Sequence, residues 1–313
     1  MSQTEEYWIE RMRRAQEKQA THSITELQNE LNIYYSKAMR CLIKQFEATY
    51  EKLLRQTAEG ITPSVADLYK LDTYWKLQGA LRLELQKLGD KQEELFSKKF
   101  EEAYEHIWKS ISFPSQSAFT QPSLENAHQL INSIWCADGK NWSTRVWGNI
   151  DKLQENLNDA LVDCVITGKK TTELKHMLME EFGVGYNRAD TIARTEIAHI
   201  QTQTARERYK NYGIQKVKIV ADKSSRTCPQ CAELDGKEYP IDATMPVPVH
   251  PRCRCCIVPV MDLTSQKEDS RLQEKPKEKP RRTRAMSAPS YSKTIPVEPP
   301  DIVQRAIDKV KEL

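Results

Sequence analysis

The sequence predicts a mostly α fold. An elongated helical N-terminal region and a compact all-α domain come first, followed by a small β-rich module around a cysteine–histidine cluster and a disordered basic tail. Three observations lead there. Only 10 glycines occur in 313 residues, and apolar residues recur at spacings of three and four through the first two thirds of the chain. After Gly213 the period changes to two. Five of the eight cysteines then crowd between Cys228 and Cys256. The expected divisions are 1–115, 116–213, 214–262, 263–298 and 299–313.

The elements follow in order. Ser23-Ile-Thr-Glu26 reads as a capping box, and Ile24, Leu27, Leu31, Tyr34, Ala38 and Cys41 continue from it as one helical stripe. Gly60 and Pro63 break this helix. Pro63 suits the first position of the next, whose stripe runs Val65, Leu68, Leu71, Trp75, Leu77, Leu81, Leu85 and Leu88. Gly89-Asp90 reads as a stop and restart, with Leu95, Phe96, Phe100, Tyr104, Ile107 and Trp108 beyond it. These aromatic stripes are read as core.

Residues 113–123 form a polar break. Helices are expected at 124–134, at 145–165, from Thr171 to Phe182, and from Asn187 or Asp190 to Gly213, with Gly183-Val-Gly185 as a tight connection. Val217, Ile219 and Ala221 then alternate as a strand, Asp235-Gly236 signals a hairpin turn, and Ile257–Val260 reads as a returning strand.

The cluster has the pattern Cys228-Pro-Gln-Cys231, then His250-Pro-Arg-Cys253-Arg-Cys255-Cys256. Zinc takes four sulfur or nitrogen ligands in a tetrahedron, and a two-residue gap lets both cysteines of a turn reach one ion. Cys228, Cys231 and His250 are the expected ligands of a structural zinc, with Cys253 and Cys255 competing for the fourth position. On an extended chain Cys256 points away from both. A catalytic zinc is disfavoured: no histidine is followed two residues later by Glu, and no His-Glu-x-x-His occurs.

The net charge of +3 argues against whole-chain attachment to DNA or an anionic membrane. No run of eighteen apolar residues exists to span a bilayer. The polar, acidic start, Met1-Ser2-Gln3-Thr4-Glu5-Glu6, is unlike a secretion signal, and scattered free cysteines suit a reducing cytoplasm.

Taken together, Ala193-Arg194-Thr195-Glu196, the helix to Tyr209, Thr227-Cys-Pro-Gln-Cys231, Leu234-Asp-Gly236, His250-Pro-Arg-Cys-Arg-Cys255 and Val258-Pro259 resemble the phage minor head morphogenesis proteins, related to the phage Mu F protein. The resemblance covers roughly residues 125–262. It implies a non-enzymatic component of the procapsid and virion head, made in the host cytoplasm. The implied partners are the portal protein and the scaffolding or major capsid protein, and the implied role is in assembly, DNA packaging or ejection. Cys256 and the C-terminal extension depart from the family pattern. The rival reading is a metal-dependent DNA-processing enzyme such as a nuclease. Arg194 and Glu196 could serve it as a guanidinium and a catalytic acid. The favoured reading makes Glu196 a buried bond that docks the zinc module.

In the tail, Lys275, Lys277, Lys279, Arg281, Arg282 and Arg284 are interrupted by Pro276 and Pro280. Such a segment is expected to be disordered and to offer sequence-independent contacts to double-stranded DNA. Residues 301–313 carry a short amphipathic helical pattern, a candidate docking peptide.

Overall fold

The computed structural model describes residues 3–57, 64–113, 121–222, 224–225 and 227–260. Its elements are α1 (Gln3–Thr57), α2 (Val65–Tyr69), α3 (Asp72–Ser110), α4 (Leu124–Ile131), α5 (Trp142–Thr167), α6 (Thr171–Asn211), β1 (Lys216–Val220), α7 (Pro229–Leu234), β2 (Glu238–Pro240) and β3 (Cys256–Pro259). Pro63, the basic segment 275–284 and residues 301–313 lie outside the described residues.

Four long helices make the body. Cross-contacts fix their directions. Tyr35 meets Gln92 and Lys99 meets Glu26, so α1 and α3 run antiparallel. Asn156 bonds Glu181, which sets α5 against α6. Gln28 meets Asp190 and Gln16 meets Tyr209, so α6 runs antiparallel to α1 and therefore in the same direction as α3, which it meets at Tyr104–Glu207. One buried polar network ties all four together. Asn149 of α5 donates to the Tyr35 hydroxyl of α1 at 3.0 Å and to the Gly185 carbonyl of α6 at 2.9 Å, while Tyr35 donates to Gln92 of α3 at 3.0 Å. Each such bond contributes about 1 kcal/mol net, and leaving a partner unpaired would cost more. The network therefore selects one alignment of the bundle.

Three expected helix ends are interior to helices. Ser23 does not open a helix: α1 begins twenty residues earlier, and Ser23 is buried on its core face. Gly89-Asp90 does not end α3. A Cβ on Gly89 would come within 2.6 Å of the Trp147 ring, so this glycine lets α5 approach α3. Gly183-Val-Gly185 is likewise inside α6, where a Cβ on Gly185 would lie 3.1 Å from Leu153. Glycine can mark close packing as well as a stop. Trp75, expected in the core, is 56% exposed, because the chain breaks at Lys70-Leu71 and α3 starts in a new phase.

The three strands form one antiparallel sheet in the order β2-β1-β3, with Val217 opposite Tyr239 and Ile219 opposite Ile257. Asp235-Gly236 is not a simple hairpin turn between neighbouring strands. It follows α7, with Gly236 at φ +78° and its N–H bonded to the Ile219 carbonyl. The sheet shares its core with the helices: Val217, Ile219, Ile257 and Val258 pack with Met12, Ile107, Ile111, Ala205 and Tyr209. This core runs through the breaks read at 115 and 213, and the compact unit ends at Val260. Gln16 of α1, fully buried, donates to the Ile257 carbonyl at 2.9 Å and the Tyr209 hydroxyl at 3.0 Å. The first helix is thereby bolted to the last strand. Among the described residues no helix is long and apolar enough to cross a membrane.

Candidate metal centre and its seat on α6

Cys228 is the N-cap of α7, with Pro229 in its first turn, and its sulfur accepts the Cys231 N–H at 3.3 Å. One helical turn therefore turns both cysteines to one side. The other half comes from the loop entering β3. His250 Nδ1 lies 2.8 Å from the Pro251 carbonyl, an N–H donation that leaves Nε2 as the free lone pair, 3.2 Å from Cys231 Sγ. Cys253 Sγ is 3.8 Å from Cys231 Sγ.

Two sets of ligand atoms each lie within 4.8 Å of one another: Cys228, Cys231 and His250, and Cys231, Cys253 and Cys255. They meet at Cys231. The five sequence-selected side chains thus fall into two overlapping sets of three, each able to hold a metal ion, and neither set includes a carboxylate. Cys256 begins β3, is buried, and is in neither set.

The electrostatics prepare part of this cluster for a cation. A hydrogen bond from the Cys255 thiol pulls Cys253 down to about 5 against the effect of burial. The same bond and burial push Cys255 well above the ordinary thiol range. Cys228 is lowered mainly by the Cys231 N–H, whereas desolvation raises Cys231 to about 12. Thiolates are the form that binds metal.

The centre is seated by Arg252, between His250 and Cys253. Its φ of +62° is unusual for a non-glycine residue. The geometry turns its N–H to the Thr195 hydroxyl at 3.1 Å, its Nε to Thr191 at 2.9 Å, and a terminal nitrogen to Asp190 at 2.8 Å. Asp190 is buried and also accepts from Arg194 at 3.0 Å and from Gln28 of α1 at 2.8 Å. One carboxylate thus joins α1, α6 and the metal loop.

Arg194 and Glu196 do not act together. Two residues apart on a helix, they point about 200° from one another. Arg194 binds Asp190, while Glu196 accepts the Trp135 indole N–H at 2.9 Å. The docking role expected of Glu196 falls to Asp190, Thr191 and Thr195. Glu196 instead holds the loop before α5. Burial pushes its carboxyl up to about 7. His199 stacks on Trp135 at 4.3 Å, is lowered to about 4 by burial, and has its Nε2 unpartnered among the described residues. Sequence reasoning missed Trp135, Asp190 and Arg252; the Arg between His250 and Cys253 was the available signal.

Residues 155–258 match the family described as Phage Mu protein F like protein. The span begins within α5, takes in all of α6 and β1, and includes every ligand candidate. A curated protein of Enterococcus faecalis (strain ATCC 700802 / V583), named NAD(+)--arginine ADP-ribosyltransferase EFV, is 29% identical over 188 residues, covering 53% of this chain and 38% of that protein. The chain thus spans well under half the length of this relative. No solved structure matches.

Proposed function

Because residues 155–258 match the family described as Phage Mu protein F like protein, we propose that this chain is a minor head protein of a tailed phage. It acts in head morphogenesis at the portal and stays with the virion through DNA packaging or ejection. The observation that carries the reading is that the family match spans α6 and the complete cysteine–histidine centre. In this reading the centre holds a structural zinc. Cys228, Cys231 and His250 supply three ligands and one thiol of the Cys253–Cys255 pair closes the tetrahedron. The ion would lock α7 to the loop entering β3, and the scaffold around it needs no turnover. The transferase activity in the relative's name is not carried over.

The helical body offers the portal-binding surface, and the basic residues 275–284 a salt-sensitive contact to double-stranded DNA. The test is incorporation into particles. The chain should co-purify with the portal oligomer and contain about one zinc, and a version ending at residue 262 should still enter procapsids. If residues 301–313 alone direct incorporation, the body is not the docking surface. If the protein is absent from procapsids and virions, the head assignment fails.

A metal-dependent DNA-processing enzyme remains the second reading. One observation favours it: Glu196 is buried beside His199, with its carboxyl near neutrality. Against it, that carboxyl is bonded to Trp135, and the metal-ligand sets contain only cysteine and histidine. Metal-dependent plasmid nicking by the wild type that vanishes in Glu196→Gln would establish it.

A further inference from the structure

A cleft of about 770 Å³ opens between the first half of α5 and the middle of α6, with the metal loop at one end. Its walls carry five cationic side chains, Lys140, Arg145, Lys152, Arg188 and Arg252, against the single carboxylate of Asp138. The chain as a whole is nearly neutral, at +3, so this is a local concentration of charge.

The neutralising groups do not use it up. Arg145 pairs with Asp138 at 2.7 Å and Lys152 with Glu155 at 3.0 Å. Asp190 must serve both Arg194 and Arg252. Lys140 and Arg188 are exposed and have no ion-pair partner among the described residues. Two unpaired cations beside three only partly neutralised ones leave a positive potential over this surface.

We propose that this cleft binds phosphate groups of a nucleic-acid backbone. The lining decides the class. Guanidinium and ammonium groups match phosphate oxygens, and Thr144, Asn187 and Thr191 add neutral polar groups at the same surface. No aromatic side chain lines the cleft, so there is no platform on which a base would stack. Recognition is through phosphate and ignores base identity. The site lies on the folded body, separate in sequence from residues 275–284. It stands on charge and shape alone, whatever the role in phage heads. Arg252 connects it to the metal loop, so the metal centre positions one of its cations.

The test uses the full chain and a fluorescently labelled 20-base-pair duplex, with affinity measured by anisotropy across a salt series. Lys140→Gln with Arg188→Gln removes two exposed cations, and unchanged circular dichroism and melting confirm folding. Affinity should fall about tenfold or more near 0.1 M salt, and the slope of log affinity against log salt should flatten by roughly 2. The charge-preserving pair Lys140→Arg with Arg188→Lys should retain both. Replacing the six basic residues of 275–284 with Gln is an independent arm. The cleft effect should persist in that background. Inorganic triphosphate is the competing probe. Displacement of duplex beyond that given by sodium chloride of equal ionic strength would show that free phosphates also occupy the site. Unchanged affinity and salt slope in the Lys140–Arg188 variant would overturn the proposal.

Discussion

Replacing Glu196 with Gln should make the stability gap between variant and wild type depend on pH, shifting in favour of the variant as the solution becomes alkaline. In the fold, burial holds the Glu196 carboxyl at about 7 against an ordinary 4.5. The protonated form is therefore the one that suits the folded chain. Its stabilising effect is fully present below about pH 4.5 and is lost as the pH rises through about 7, because the folded state must then ionise a buried carboxyl or hold a proton that the unfolded chain has released. At about 1.4 kcal/mol for each pH unit in that interval, the contribution changes by roughly 3 kcal/mol. Gln keeps the volume and an oxygen for the Trp135 N–H but does not titrate. His199 pulls the other way: lowered to about 4, it contributes stability above its ordinary 6.5 that is lost as the pH falls toward 4. That limb is common to both proteins and cancels in the difference. The assay is urea unfolding of wild type and Glu196→Gln at pH 5 and pH 8. Glu196→Gln should gain about 2.5 kcal/mol relative to wild type across that range, equivalent to a melting difference of roughly 5–10 °C. A gap that stays constant with pH would refute the reasoning, and would mean that Glu196 is ionised in the fold at both.

Two further outcomes follow from packing and charge. Gly89→Ala should destabilise by about 1 kcal/mol, since the Trp147 ring lies within 2.6 Å of the new Cβ and its indole is tied to Glu93, an overpacking cost that exceeds the gain in helix propensity. Gly79→Ala in the same helix meets nothing within 4 Å and should be neutral or stabilising, and thermal melts of the pair check the contrast. Asp190→Ala should cost about 2 kcal/mol, a low figure for a buried carboxylate because both arginines reach solvent, and Asp190→Asn should cost less. The check is a shift in the urea midpoint without a change in slope, together with faster proteolysis of the metal loop in Asp190→Ala.

Helices, strands and the metal-ligand candidates were legible because each is a local pattern. The stripe of Leu27 and Leu31, the alternation of Val217 and Ile219, and the two-residue gap between Cys228 and Cys231 are set by the geometry of neighbouring residues. Gly89, Gly185 and Ser23 misled for the complementary reason. Each has a local meaning as a stop or cap, and packing against a partner distant in sequence overrode it. Trp147 explains Gly89, and Leu153 explains Gly185. The separation of Arg194 from Glu196 follows from helix phase once α6 is known to be continuous, but the partners of each do not. Asp190 gathers Gln28, Arg194 and Arg252 from three places in the chain, and Trp135 reaches Glu196 across 61 residues. The sequence by itself determined the element types, the candidate metal ligands and the family resemblance. Tertiary structure decided which carboxyl is buried, with its pKa raised, and which arginine seats the loop between His250 and Cys253. It also decided where five cations from α5, α6 and that loop come together. Burial and charge proximity are properties of the assembled bundle, and no spacing along the chain encodes them.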